Sequence, residues 1–143
     1  MATFGPYTAT VDGIHDGDTL TVDVLLAPVG KLNAVSDRDL GFHVHRTHQG
    51  IVIERQSVRL FGCNAPELAT PAGKAALAYI ETLVKVGDQV KLLSHGVDKY
   101  GGRIDGAVTL ADGRDLSKAM IAAGHAVFWD GTGVKPVPVT ATN

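Results

Sequence analysis

The stretch VRLFGCNAPEL, from Val58 to Leu68, brings a guanidinium, an amide and a carboxylate close together. Arg59 falls in an alternating apolar run that reads as a strand, and Asn64 and Glu67 flank Ala-Pro in the turn that ends it. A turn needs glycine and proline, and it has Gly62 and Pro66. It does not need the other three. Arginine offers a planar fork of donors that matches phosphate oxygens. A glutamate can position water or take its proton. An asparagine oxygen can ligate a hard cation without adding charge. The plainer alternative is a solvated strand and turn leading into a helix.

Two further segments extend the set. In HDGDT, Asp16 and Asp18 flank a glycine, so both carboxylates can face one space, as oxygen ligands of calcium or magnesium do. Good turn composition explains the same residues without a metal. In DKYGGR, Lys99, Tyr100 and Arg103 with two glycines make a flexible basic loop able to wrap a phosphate, or an ordinary inter-strand turn. Together the segments supply what phosphodiester hydrolysis requires: cations to neutralise charge on phosphorus and a carboxylate to handle the attacking water.

These residues must be held by a β-rich frame. Thr8 to Val11 and Leu20 to Leu26 alternate around HDGDT and predict a hairpin. Ala27 to about Arg38 reads as a long loop, an insertion or mobile. Strands are expected at about Gly41 to His45 and Gly50 to Phe61, turned at THQG. A helix follows Thr70 as N-cap and Pro71 at its first position, with Ala75, Leu77, Ala78, Ile80, Leu83 and Val84 as its apolar face and Gly87 as its end. QVKLLSHG and GAVTLADGRDLS give further strands. A short helix capped by Asp115 or Ser117 then runs to Gly124. HAVFWDG is extended, and the tail VKPVPVTATN is expected to be mobile. The order of elements predicts an α+β fold around a small, mostly antiparallel barrel.

Composition limits the function classes. The chain has 143 residues, enough for a single core, and 45% hydrophobic against 20% charged residues, as in soluble globular domains. One cysteine, Cys63, excludes an internal disulfide; it is expected to be buried and inert. No apolar run approaches a membrane span, and no secretory leader is read at the N-terminus, so a cytoplasmic location is expected. A net charge of −2 argues against nucleic-acid binding by bulk charge, so any such attraction must be local. His43, His45 and His48 sit close together without a second Cys or His cluster, so zinc is not expected.

DGIHDGDTLTV, VRLFGCNAPEL, DKYGGR and DGRDLSKAMIAAGHA follow one another in the order and at about the spacing of the staphylococcal nuclease (thermonuclease) family, which the chain resembles from about Thr8 to Trp129. The match is poor across Ala27 to Gln56. The resemblance implies a five-stranded OB-type barrel with about three helices and calcium-dependent cleavage of DNA and RNA at the 5′-O–P bond; magnesium and manganese are the other candidate ions. It implies residues 1–130 as the nuclease domain, an insertion around 27–56 and a flexible tail at 131–143. By the same resemblance Asp18, Asp16, Asn64 and the Ala65 carbonyl are metal ligands, and Arg59 and Arg103 bind the scissile phosphate. Glu67 is the general base, and Lys99 and Tyr100 touch a terminal phosphate. Trp129 either stacks on a base or packs the C-terminal segment.

Two departures stand out. Asn64 occupies a position where the family usually carries a second metal-binding aspartate, and the loop has one glycine more than DKYGR. NAPE leans towards a phage-type enzyme. A DNA or RNA substrate and a monomer are expected. The rival reading is a catalytically weak or inactive barrel that binds nucleic acid or protein, or a structural protein that keeps only the fold. Retention of Arg59, Glu67 and Arg103 together favours catalysis.

Overall fold

The computed structural model describes residues 3–28, 39–41, 44–47, 50–97, 102–129 and 136. The predicted hairpin forms, and both strands are longer than their alternating cores. β1 spans Phe4–Asp16 and β2 spans Thr19–Pro28. They pair antiparallel from Thr8↔Leu25 to Asp16↔Thr19, which leaves Gly17 and Asp18 as the turn. The predicted loop therefore begins later than Ala27, because Ala27 and Pro28 pair with Ile51 and Gly50. The rest of it, residues 29–38, lies outside the described residues.

A short ribbon follows, β3 (Asp39–Gly41) and β4 (Val44–Thr47), and then the long strand β5 (Gly50–Leu60). β5 pairs with β2 along one edge. On its other edge it carries first β4 and then, in parallel, β8 (Arg103–Thr109). β7 (Gln89–Val97) joins β8 to β1 by antiparallel pairing on both sides. The order β2-β1-β7-β8-β5, closed by β5 on β2, is a five-stranded mixed barrel. Gly50 to Gln56 belongs to it. β6 (Gly62–Asn64) and β9 (Val127–Trp129) form a separate antiparallel pair beside the barrel.

Alternation sorts the barrel strands into two faces. Val11, Leu20, Val22, Val58, Leu60, Leu92 and Val108 point inward and are fully buried, each stabilising the fold by about 1.5–3 kcal/mol relative to exposure. Two helices, not three, occur among the described residues: α1 (Pro71–Leu83) and α2 (Leu116–Ala122). Thr70 caps α1 as predicted, its hydroxyl accepting from Gly73 N at 3.0 Å. The buried face of α1 agrees with the prediction at Ile80 and Val84, with Leu77 and Leu83 partly buried against the core, and differs at the alanines. It is Gly73, Ala76 and Ile80, with Val84 just beyond, while Ala75 and Ala78 are exposed. Small residues are buried there because the β1–β2 turn comes against them. A Cβ on Gly17 would lie 2.8 Å from the Cβ atoms of both Ala65 and Ala76. α1 stops at Leu83, where Val84 turns extended; Gly87 sits beyond it and donates to Val11 O. Asp115, not Ser117, caps α2, its carboxylate accepting from Lys118 N. Ser117 is buried and donates to Phe61 O at 2.8 Å, tying α2 to the bend after β5. No helix among the described residues is long and apolar enough to cross a membrane.

Candidate nuclease site

Inward Val58 and Leu60 force Arg59 outward on β5, where it pairs in register with Thr19. That register sets the β1–β2 turn beside it. Leu60 N donates to Asp18 O at 2.8 Å, fixing the Asp18 main chain to β5. Asp16 Oδ1 accepts from Asp18 N at 3.0 Å, so one aspartate shapes the turn that presents the other. Close contact through Gly17 then presses this turn onto the Asn64–Glu67 turn.

The result is a cluster drawn from three parts of the chain. Asp18 Oδ2 accepts from Ala65 N at 2.8 Å and lies 3.6 Å from Arg59 Nη2; its Oδ1 accepts from Thr19 Oγ1 at 3.1 Å. Arg59 Nη2 donates to Asn64 Oδ1 at 3.1 Å. Asn64 Nδ2 donates to Pro136 O at 3.1 Å, so both ends of the amide are engaged. The Arg59 guanidinium stands 5.4 Å from the centroid of the Trp129 ring, within cation–π range. β6–β9 pairing, with Gly62 opposite Trp129, delivers that ring. Trp129 thus meets the arginine, and Phe128 beside it is 67% exposed.

Arg103 opens β8 opposite Ser57, two residues from Arg59 on the neighbouring strand, so register assigns both arginines to the outer face of the barrel. Gln56 Nε2 donates to Gly102 O at 3.2 Å and clips the end of the glycine loop to β5. Lys99 and Tyr100 lie outside the described residues. So do His43, His48 and the side chain of His45, and the tail beyond 129 except Pro136. Glu67 is exposed, and its main-chain carbonyl is held by Thr70. Sequence reasoning had not singled out Gly17, Thr19, Gln56 or the Pro136 carbonyl. The glycine inside DGD was the available signal for the first, as a point of close approach.

Asp18 is 8% exposed. Burial pushes its carboxyl above the ordinary range; the Ala65 N–H and Arg59 oppose the shift, and the Asp16 carboxylate adds to it. Cys63 is also buried, its thiol pushed up to about 12 chiefly by burial, as an inert cysteine would be. A raised aspartate means that the folded protein holds this proton more tightly than the unfolded chain does. Ionised Asp18 therefore opposes folding, an effect absent at acid pH. It grows as pH rises from the ordinary carboxylate value and levels off above the folded one. In EDTA, the stability of the wild type relative to Asp18→Asn is expected to fall as pH rises across that window. Urea unfolding of both proteins against pH tests this, and a difference that is flat or rises with pH refutes it.

Among the described residues no three His, Cys, Asp or Glu side chains cluster to hold a metal. The donors around Asp18 are oxygens, the type a hard cation takes. A buried carboxylate whose charge is incompletely offset is what such an ion would stabilise. Asp16 and Asp18 are the two carboxylates of this turn, joined through the Asp18 main chain.

No curated protein matches the chain. Residues 57–135, more than half of the chain, match the family model described as staphylococcal nuclease homologue. The match runs from β5 past β9 and so takes in Arg59, Asn64, Glu67, Arg103 and Trp129, while the Asp16–Asp18 turn lies before it. With the closed barrel and the cluster built on its outer face, this match assigns the chain to the staphylococcal nuclease homologue family, a domain of nuclease or nucleic-acid-binding type.

Proposed function

We propose that the chain is a metal-dependent, sugar-nonspecific nuclease that hydrolyses phosphodiester bonds of DNA and RNA. The observation that carries this reading is the convergence of Asp18, Arg59 and Asn64 from the β1–β2 turn, β5 and the turn after it. In this reading Arg59 and Arg103 donate to the phosphate oxygens and stabilise the charge that builds as water attacks phosphorus. Glu67 takes the proton from that water as the new O–P bond forms; the 5′-O–P bond breaks, its electron pair goes to the 5′-oxygen, and that oxygen takes a proton from solvent, leaving a 3′-phosphate and a 5′-hydroxyl. Asp18, Asp16, Asn64 and the Ala65 carbonyl would hold calcium, which when bound would offset phosphate charge. Trp129 keeps the Arg59 guanidinium in place from behind.

The binding-module reading rests on Asn64, whose oxygen already serves Arg59 and which lacks the charge of an aspartate. Both readings are tested with chelated protein and labelled single-stranded DNA. Calcium is expected to restore cleavage, and EDTA to abolish it. DNA retained in a gel shift but uncut with calcium, magnesium or manganese would establish the binding module instead. Asn64→Asp is expected to tighten calcium binding roughly 30-fold, because a unit charge about 4 Å from a divalent ion contributes about 2 kcal/mol even in water. Calorimetric titration reads this independently of activity. Unchanged affinity would remove Asn64 from the ligand set.

A further inference from the structure

We propose that Thr70 and Gly73 are positioning residues for Glu67, so that the first turn of α1 is the mount of the proton acceptor. This rests on the reading of Glu67 given above.

Glu67 is exposed, and no described residue holds its carboxylate by a hydrogen bond or ion pair, so what the fold fixes is the main chain from which the side chain projects. That main chain is gripped at one atom. The Glu67 carbonyl accepts from Thr70 N at 3.0 Å and from Thr70 Oγ1 at 2.7 Å. The same hydroxyl accepts from Gly73 N at 3.0 Å. A threonine hydroxyl can donate and accept at once, and here it joins the helix cap and the glutamate's carbonyl in one group. Only Leu68 and Ala69 separate Glu67 from that cap, which leaves few torsions to absorb motion.

Gly73 supplies the room. A Cβ built there would lie 1.9 Å from Glu67 O, 2.5 Å from Glu67 C and 2.9 Å from Leu68 Cα. The carbonyl would have to retreat by more than about 1 Å to reach van der Waals separation. Gly73 lies in the helix with no left-handed φ, so conformational freedom does not explain it. Glycine is disfavoured in a helix relative to alanine. Close approach of the Glu67 backbone accounts for it.

The test is steady-state cleavage of single-stranded DNA in calcium over a range of DNA concentrations, with thermal melting alongside. It compares Thr70→Val, Thr70→Ser and Gly73→Ala, each in the wild-type and the Glu67→Gln background. Thr70→Val and Gly73→Ala are expected to lower kcat by about 10- to 100-fold with KM little changed, since displacement of a reacting group by about 1 Å has effects of that order. Thr70→Ser keeps the hydroxyl and is expected to stay near wild type. In the Glu67→Gln background neither change should cause further loss, which a merely structural role would not produce. Equal losses in both backgrounds, or an unchanged kcat in Thr70→Val, overturn the proposal. If Gly73→Ala does not fold, the Val and Ser variants of Thr70 decide. A wild type that cleaves nothing refutes the nuclease reading itself, and the positioning role with it.

Discussion

Arg59→Ala is expected to lower single-turnover cleavage of DNA by about 10³- to 10⁵-fold, the range found where an arginine is withdrawn from a phosphoryl-transfer transition state. The guanidinium is preorganised here by three neighbours. Asn64 Oδ1 takes one donor, Asp18 supplies opposite charge at 3.6 Å, and the Trp129 ring supports it from one side. A fork with five donors keeps others available for a phosphate. Preorganisation of this kind raises the contribution of a charge, because little reorganisation remains to be done when the transition state forms. Arg59→Lys is expected to recover only a small part of the loss, since a point charge cannot span two phosphate oxygens. Removing the cation also takes away one of the influences that oppose the raised proton affinity of Asp18. The variant should therefore be less stable at neutral than at acid pH relative to wild type, and rates must be compared where both are folded by melting. A loss smaller than about tenfold in folded protein would put the phosphate site elsewhere.

The parts of this fold legible in the sequence are those whose cause is local. Alternation gave the β1–β2 hairpin, and Thr70-Pro71 gave the start of α1, because capping and strand patterning act over a few residues. The alanines on the buried face of α1 were misjudged for a non-local reason. Ala76 is buried and Ala75 is not because Gly17, far away in sequence, comes against Ala76 and Ala65. The site divides in the same way. The types Arg59, Asn64, Glu67 and Asp18 could be picked out by their chemistry, but how they engage one another could not. Asn64 binds Arg59 on one side and the Pro136 carbonyl on the other, and that second contact spans 72 residues. Trp129 reaches Arg59 only through the β6–β9 pair, which no local pattern specified. That contact with Arg59 is an arrangement that the position of Trp129 in the sequence did not indicate.

Glu67→Gln is expected to lower kcat by about 10²- to 10⁴-fold, the usual contribution of a positioned general base. Gln has nearly the same shape and keeps the carbonyl that Thr70 grips, so the mount should survive the change. Because the side chain is exposed and its carboxylate binds no described residue, stability is expected to stay within about 0.5 kcal/mol of wild type. KM should change little, for the lost step occurs only in the transition state. This combination separates Glu67 from Arg59, whose removal alters both the charge around Asp18 and the chemistry. Glu67→Asp sharpens the test. It restores the proton acceptor on a side chain one methylene shorter, anchored to the same main chain. If Glu67 must reach a water held in line with the phosphate, the aspartate recovers only part of the rate. If Glu67 acted merely as a negative charge near the phosphates, the aspartate would restore nearly all of it. Activity that survives Glu67→Gln to within tenfold would refute the general-base assignment. It would leave the arginine-bearing face of the barrel as a nucleic-acid contact whose water is activated by another group.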